Sequence, residues 1–229
     1  MSKDKVYKPQ IHKLFTEWVS LLWQNLGTVI ILSAIGFFAS APIVTGGAIF
    51  IGVFNITKLL VRKELVLRED FTSAVKEKWK TATALFLVNL LILFVIGYAL
   101  YFYWINPEIK IFFWVGIWFF IVFFMGLIYM YPLLADQDIG LKKIFSRSFK
   151  MAMVDPGFSF VMALVSILWI VLCFILIPML ATLAIGGFAL WSTLAYREMS
   201  LKVDSILALK EAKEEDDEDE EEESDDLTP

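Results

Sequence analysis

Four long, predominantly apolar stretches constrain this chain more than any motif: Trp18 to Ser40, Thr81 to Trp104, Ile111 to Tyr131 and Phe158 to Ile177. Each approaches the ~20 residues an α-helix needs to cross the hydrocarbon core of a bilayer, where a helix satisfies its own backbone. Hydrophobic residues make up 59% of the 229, more apolar surface than a soluble domain of that length can bury. The expected class is an all-α integral membrane protein.

Two further stretches are ambiguous. Ile43 to Val61 carries Gly46, Gly47, Asn55 and Lys58, and Met179 to Tyr196 follows Pro178 with little room for a loop. Charge placement decides between a crossing and a kink, because Lys and Arg near span ends are retained on the cytoplasmic side. If both stretches cross, 19 of the 20 basic residues share one side and only Lys110 lies opposite. If Ile43 to Val61 did not cross, Arg62, Lys63, Arg68, Lys76, Lys78 and Lys80 would all be external. The expectation is therefore a six-helix transmembrane bundle in the cell membrane with both termini cytoplasmic. Residues 1–17 form the amino-terminal segment, 18–197 the membrane domain and 198–229 a cytoplasmic segment. Trp18, Trp79, Tyr131 and Tyr196 are expected as inner interfacial anchors, and Tyr101, Tyr103 and Trp104 as outer ones. A cleaved leader is not expected: the first apolar stretch is long enough to span, and Pro42 follows the small-residue site Ala39-Ser40-Ala41.

The formal charge of -5 conceals two opposed regions. Thirteen of the 25 acidic residues lie between Glu211 and Asp226, so residues 1–210 carry +7. An acidic run of that kind is expected to be disordered, since it has little apolar surface to bury.

At an offset of 74 residues, Leu59 and Leu60 pair with Leu133 and Leu134, Arg68 with Lys142, Phe71 with Phe145 and Lys76 with Lys150. The same offset carries the second expected span onto the fourth and the third onto the fifth, which predicts a parallel internal repeat about an axis normal to the membrane. Each linker reads as a short amphipathic helix at the interface. Leu67, Phe71, Val75 and Trp79 recur beside Lys76, Lys78 and Lys80, and Ile144, Phe145 and Phe149 beside Lys142, Lys143 and Arg147. These six basic residues are the candidate contacts for membrane lipid or a protein partner.

The remaining polar candidates are Gln24, Asn25, Asn55, Lys58 and Asn89, which the topology places in the inner third of the first three helices. They define either a cytoplasm-facing polar pocket or the interhelical hydrogen bonds of the bundle. Phosphate loops, metal-ligand spacings, nucleophile elbows and paired catalytic carboxylates do not occur, His12 is the one histidine and Cys173 the one cysteine. An enzyme, a cofactor and a nucleic-acid partner are accordingly not expected.

The segment Ala41-Pro42-Ile43-Val44-Thr45-Gly46-Gly47-Ala48, the stretch Lys58-Leu59-Leu60-Val61-Arg62, and Arg68-Glu69-Asp70-Phe71 with Trp79-Lys80 carry a resemblance to the YesL-like bacterial membrane proteins, over residues 14 to about 204. The sequence departs from the family pattern where Gly47, with no following proline, succeeds Gly46, and in its acidic tail. The resemblance implies an accessory or scaffold protein beside a carbohydrate uptake system, with sugar importer subunits as partners. A facilitator of a small polar solute such as a sugar, and an anionic-lipid-interacting envelope protein, are the alternative expectations.

Overall fold

The computed structural model describes residues 6–39, 43–176 and 182–225, and among them every regular element is helical. The helices are α1 (Ile11–Gln24), α2 (Leu26–Ala39), α3 (Ile43–Arg62), α4 (Arg68–Ile105), α5 (Ile111–Asp136), α6 (Leu141–Val154), α7 (Pro156–Ile175) and α8 (Ala184–Asp225), with one 3-10 turn at Pro107–Ile109. Among the described residues, four helices are long and apolar enough to cross a bilayer: α3, α4, α5 and α7. A fifth crossing is made if α1 and α2 together count as one broken span.

The first expected span is interrupted. Asn25 turns its amide back onto the Leu21 carbonyl (3.0 Å), taking a backbone acceptor of the last turn, and α1 and α2 meet at 86°. α1 is three-sided. Leu14, Trp18 and Leu21 are buried, Phe15, Val19 and Trp23 form an exposed apolar stripe, and Thr16, Ser20 and Gln24 make a polar edge. Of the last expected span, Met179 to Ala181 lie outside the described residues. The part from Ala184 to Tyr196 rises only about 20 Å, short of the ~30 Å hydrocarbon core.

The expected linker helices differ from each other. The second is the separate helix α6, which buries Ile144, Ser148 and Ala152. The first is the amino-terminal extension of α4, a continuous helix of 38 residues. Proline explains the contrast. Asp155 and Pro156 break the second linker from its span, with Pro156 in the first turn of α7 and the Asp155 carboxylate accepting from the Phe158 N–H (3.0 Å). Thr81 and Ala82, at the corresponding place in α4, let the helix run on. The acidic run likewise does not stand apart from the helical structure, because α8 continues to Asp225. Glu and Ala favour the helix, and extending one already formed avoids the cost of nucleation.

α3 is the central element, packed on α4, α5 and α8, and α8 also meets α1, α2 and α7. One half of the core gathers Trp18, Ile128, Tyr129, Met162 and Trp191, the other Phe54, Leu85, Tyr131 and Leu134. Trp18 and Tyr131 are therefore packing residues, against expectation. Trp18 stacks edge-on against Trp169 (5.0 Å) and Trp191 (5.5 Å) and donates its indole N–H to the Gly187 carbonyl (3.1 Å). Tyr196 is buried too, whereas Trp79, Tyr101 and Trp104 are exposed in the manner of interfacial anchors. Gly47 lets α3 and α4 touch backbone to backbone, since a Cβ there would lie 2.5 Å from the Ala82 carbonyl oxygen and the Thr83 Cα. α3 ends in a Schellman turn, with Lys63 N–H on Leu60 O (3.1 Å) and Glu64 N–H on Leu59 O (3.0 Å). Lys63 takes the left-handed position there, φ 58°, which glycine usually fills.

Candidate functional site

Three helices converge at the basic end of the bundle and enclose a polar pocket of about 370 Å³. The carboxy-terminal half of α3 supplies Asn55 and Lys58, the amino-terminal part of α4 supplies Ser73, Glu77 and Lys78, and the end of α5 supplies Asp136, with Asp138 just beyond. Its geometry follows from the way α5 ends. The last carbonyls of a helix have no partner in the helix and carry the negative end of its dipole. Lys78 Nζ donates to the carbonyls of Leu134 (2.9 Å) and Ala135 (3.3 Å), and Lys58 Nζ to that of Ala135 (3.2 Å). Two lysines from two neighbouring helices thus cap a third.

Asp136 completes the site. Its carboxylate accepts from Arg62 Nη2 (2.8 Å) and from the Tyr196 hydroxyl (3.1 Å), and it lies 3.7 Å from Lys58 Nζ. α3, α5 and α8 are thereby tied through one side chain. Asn55 donates its amide to the Asp70 carbonyl (2.9 Å) and pins α3 to the first turn of α4. Lys78 precedes the apolar stretch that begins at Thr81. Burial, reinforced by the nearby charge of Lys58, holds its ammonium below the usual lysine range. Positive and negative groups are both present, so the pocket suits a small polar molecule held by hydrogen bonds.

The five polar candidates divide. Asn55 and Lys58 share the pocket. Gln24 donates to Ser20 Oγ (3.0 Å) and lines a separate depression, while Asn25 forms the α1–α2 elbow. Asn89 is buried in α4 facing the Tyr131 hydroxyl, and its amide makes no hydrogen bond of ordinary geometry. Of the six basic candidates, Lys78 turns inward to the pocket and Arg147 bonds to Gln137 Oε1. Lys76, Lys80, Lys142 and Lys143 are exposed, and none of them forms an ion pair among the described residues. Asp136, Glu77 and Asp138 were not singled out from the sequence, and Tyr196 was expected only as an interfacial anchor. The available signal was Asp136, an acidic residue closing an apolar run on the side where basic residues collect.

Two further ion pairs brace the same end. Arg197 makes a bidentate contact with Glu17 (2.7 and 2.6 Å), joining α1 to α8, and Lys202 pairs with Asp155 (2.6 Å), joining α8 to the start of α7. Among the described residues no group of three or more His, Cys, Asp or Glu side chains is placed to hold a metal ion.

Helices of spanning length around a braced, charged end define the class: an all-helical protein with the build of a membrane bundle. No family model matches the chain, and no curated protein and no solved structure is significantly similar to it.

Proposed function

We propose that this protein is a non-enzymatic accessory or scaffold of the cell membrane, presenting a rigid basic cytoplasmic face to a partner. The observation that carries this reading is the division of labour among its basic residues. Lys58, Arg62, Lys78, Arg197 and Lys202 are consumed in cross-bracing helices, while Lys76, Lys80, Lys142 and Lys143 remain exposed on α4 and α6. A braced platform with free charges suits docking, where preorganisation lowers the cost of association. The bundle interior supports the same reading, because rings of Phe50, Phe54, Tyr131 and Phe188 pack together between the polar pocket and the opposite side. The YesL-like resemblance suggests the partner: subunits of a carbohydrate importer. In this reading the basic end is cytoplasmic, residues 1–17 and 198–229 lie on that side, and the broken elements α1–α2 and the start of α8 complete a six-part bundle. The 74-residue offset supports a parallel duplication, since α3 and α5 end at Arg62 and Asp136 and α4 and α6 begin at Arg68 and Leu141. Co-purification from mild detergent tests the reading. Importer subunits should be recovered with the native chain and lost when Lys76, Lys80, Lys142 and Lys143 are changed to Gln. Recovery of the chain alone from cells expressing an importer would overturn it.

The pocket of Asn55, Lys58 and Lys78 favours a second reading, a facilitator for a small polar solute such as a sugar. Liposomes containing the protein would then show sugar flux that falls when Asn55 is replaced by Leu, and the absence of flux across a panel of sugars would remove this reading.

A further inference from the structure

The elbow between α1 and α2 carries a second, differently built site. On its α1 side, a depression of about 460 Å³ is lined by His12, Lys13, Thr16, Ser20, Gln24 and, from the turn after α3, Lys63. Glu17 also lines it, but its carboxylate is occupied by the bidentate contact with Arg197. Neither Lys13 nor Lys63 has an ion-pair partner among the described residues. The cup is therefore electropositive and rich in hydroxyl and amide groups. Lys63 is delivered to it by a left-handed backbone that costs a lysine more than a glycine.

On the α2 side of the elbow lies an apolar groove of about 480 Å³. Ile31 and Ile35 of α2, Ile56 of α3, and Val66, Leu67 and Phe71 at the start of α4 form its walls. Ile31 is 60% exposed within the protein, so the groove is open along one side. Cup and groove share the same two boundaries. Gln24 and Thr28 stand on either side of the bend at Asn25, and Lys63 and Val66 belong to the one connection between α3 and α4.

The three faces of α1 set the depth of this arrangement. Its stripe of Phe15, Val19 and Trp23 is exposed and apolar, and its edge of Lys13, Thr16 and Ser20 is polar. A helix so divided lies in the plane of the membrane surface, with the stripe in the acyl region and the edge among headgroups. α2, turned by 86°, then descends from that surface into hydrocarbon.

We propose that the elbow holds one anionic phospholipid of the leaflet at the basic end of the bundle, its phosphate between Lys13 and Lys63 and one acyl chain in the groove beneath. Positive charge at headgroup level and an open apolar channel on the other side of the same bend match the two ends of a single lipid. The site is distinct from the exposed lysines of α4 and α6 and does not depend on what those dock.

Native mass spectrometry of the full chain in neutral detergent tests the assignment, with phosphatidylglycerol, phosphatidylcholine and glycerol phosphate added in turn. One phosphatidylglycerol should be retained in preference to phosphatidylcholine. The double variant Lys13→Gln, Lys63→Gln should lower its occupancy about tenfold or more, since each lysine near an anionic headgroup contributes a factor of about five. Ile31→Trp, which fills the groove from an exposed position, should lower it as well without touching the charges. The control Lys142→Gln, Lys143→Gln should not. Equal retention of phosphatidylcholine, or an equal loss in the control, would overturn the proposal. So would glycerol phosphate binding as tightly as the lipid, because the groove would then play no part. Melting temperatures close to that of the parent chain establish that the exposed-site variants are folded.

Discussion

Two residues show how much of this molecule is decided by single side chains. Asp136 accepts hydrogen bonds from Arg62 and Tyr196 and pairs with the charges of Arg62 and Lys58, so its removal would leave Arg62 and Tyr196 without that acceptor and Lys58 with the Ala135 carbonyl alone. Lys63 works against its own backbone. In the left-handed region a Cβ crowds the following carbonyl, and glycine escapes that penalty. Lys63→Gly should therefore raise stability by up to about 1 kcal/mol in lipid-free neutral detergent, read as a higher melting temperature. Lys63→Val, branched at Cβ, should lower it. A lysine retained at such a position is consistent with a use for its charge, and the same glycine variant should bind less anionic lipid while being the more stable protein.

At the scale of elements, helix contacts depend on where side chains are absent. Gly47→Ala would put a methyl group against the backbone of α4, which cannot rotate away, and should cost about 1–3 kcal/mol. Gly97→Ala, in α4 with nothing within 4 Å, is the control. It should be neutral or slightly stabilising in the same thermal melt, because alanine restricts the unfolded chain. The start of α7 adds a pH dependence. Burial alone would raise the Asp155 carboxyl, but the Lys202 ammonium and the Phe158 N–H outweigh it and hold it below its ordinary value of 3.8. A depressed carboxylate contributes stability above its unfolded-state pKa, and that contribution disappears as the pH falls through the folded-state value. Melting temperature should accordingly drop as acid is added below about pH 4. Asp155→Asn should start lower at neutral pH and show a shallower acid slope.

The elements were unequally legible beforehand. Long apolar runs with charged ends gave α5 and α7 close to their observed lengths and the apolar part of α4, whose helix begins at Arg68 rather than Thr81, and the basic cluster after Val61 correctly argued that α3 is a helix of spanning character. The elbow at Asn25 was missed because it depends on one side chain bonding back to Leu21, which no hydrophobic pattern records. The fusion of the first linker helix into α4 was missed because the sequence there contains no breaker, and the pattern of Leu67, Phe71, Val75 and Trp79 is equally good for a free helix and an extension. The pocket was half visible. Asn55 and Lys58 stood out as polar residues in an apolar stretch, whereas Lys78 read as one more surface lysine until α5 was seen to end beside it.

For the whole molecule, the distribution of charge makes a directional prediction. The turn after α3 and the loop before α6 lie at the basic end, and the turn containing Glu108 and Lys110 joins the opposite ends of α4 and α5. With the native Cys173 buried, single cysteines at Glu64 and Glu108 report on sidedness. In intact cells a membrane-impermeant maleimide should label Glu108→Cys and spare Glu64→Cys, and permeabilisation should expose the second. The reverse pattern would invert the orientation and, with it, the proposed docking face.

The contacts that α1 and the residues just before it make with α8 also bear on the order in which the chain acquires its shape. Trp18 seals against Gly187, Glu17 against Arg197 and Tyr7 against Glu198, partners 169 to 191 positions further along. During synthesis the opening helix must wait for the closing one, on the order of ten seconds or more at ribosomal speed. If α1 lies in the membrane surface as proposed, its apolar stripe gives it somewhere to wait, beside the assembling bundle, until the last helix arrives to be clasped.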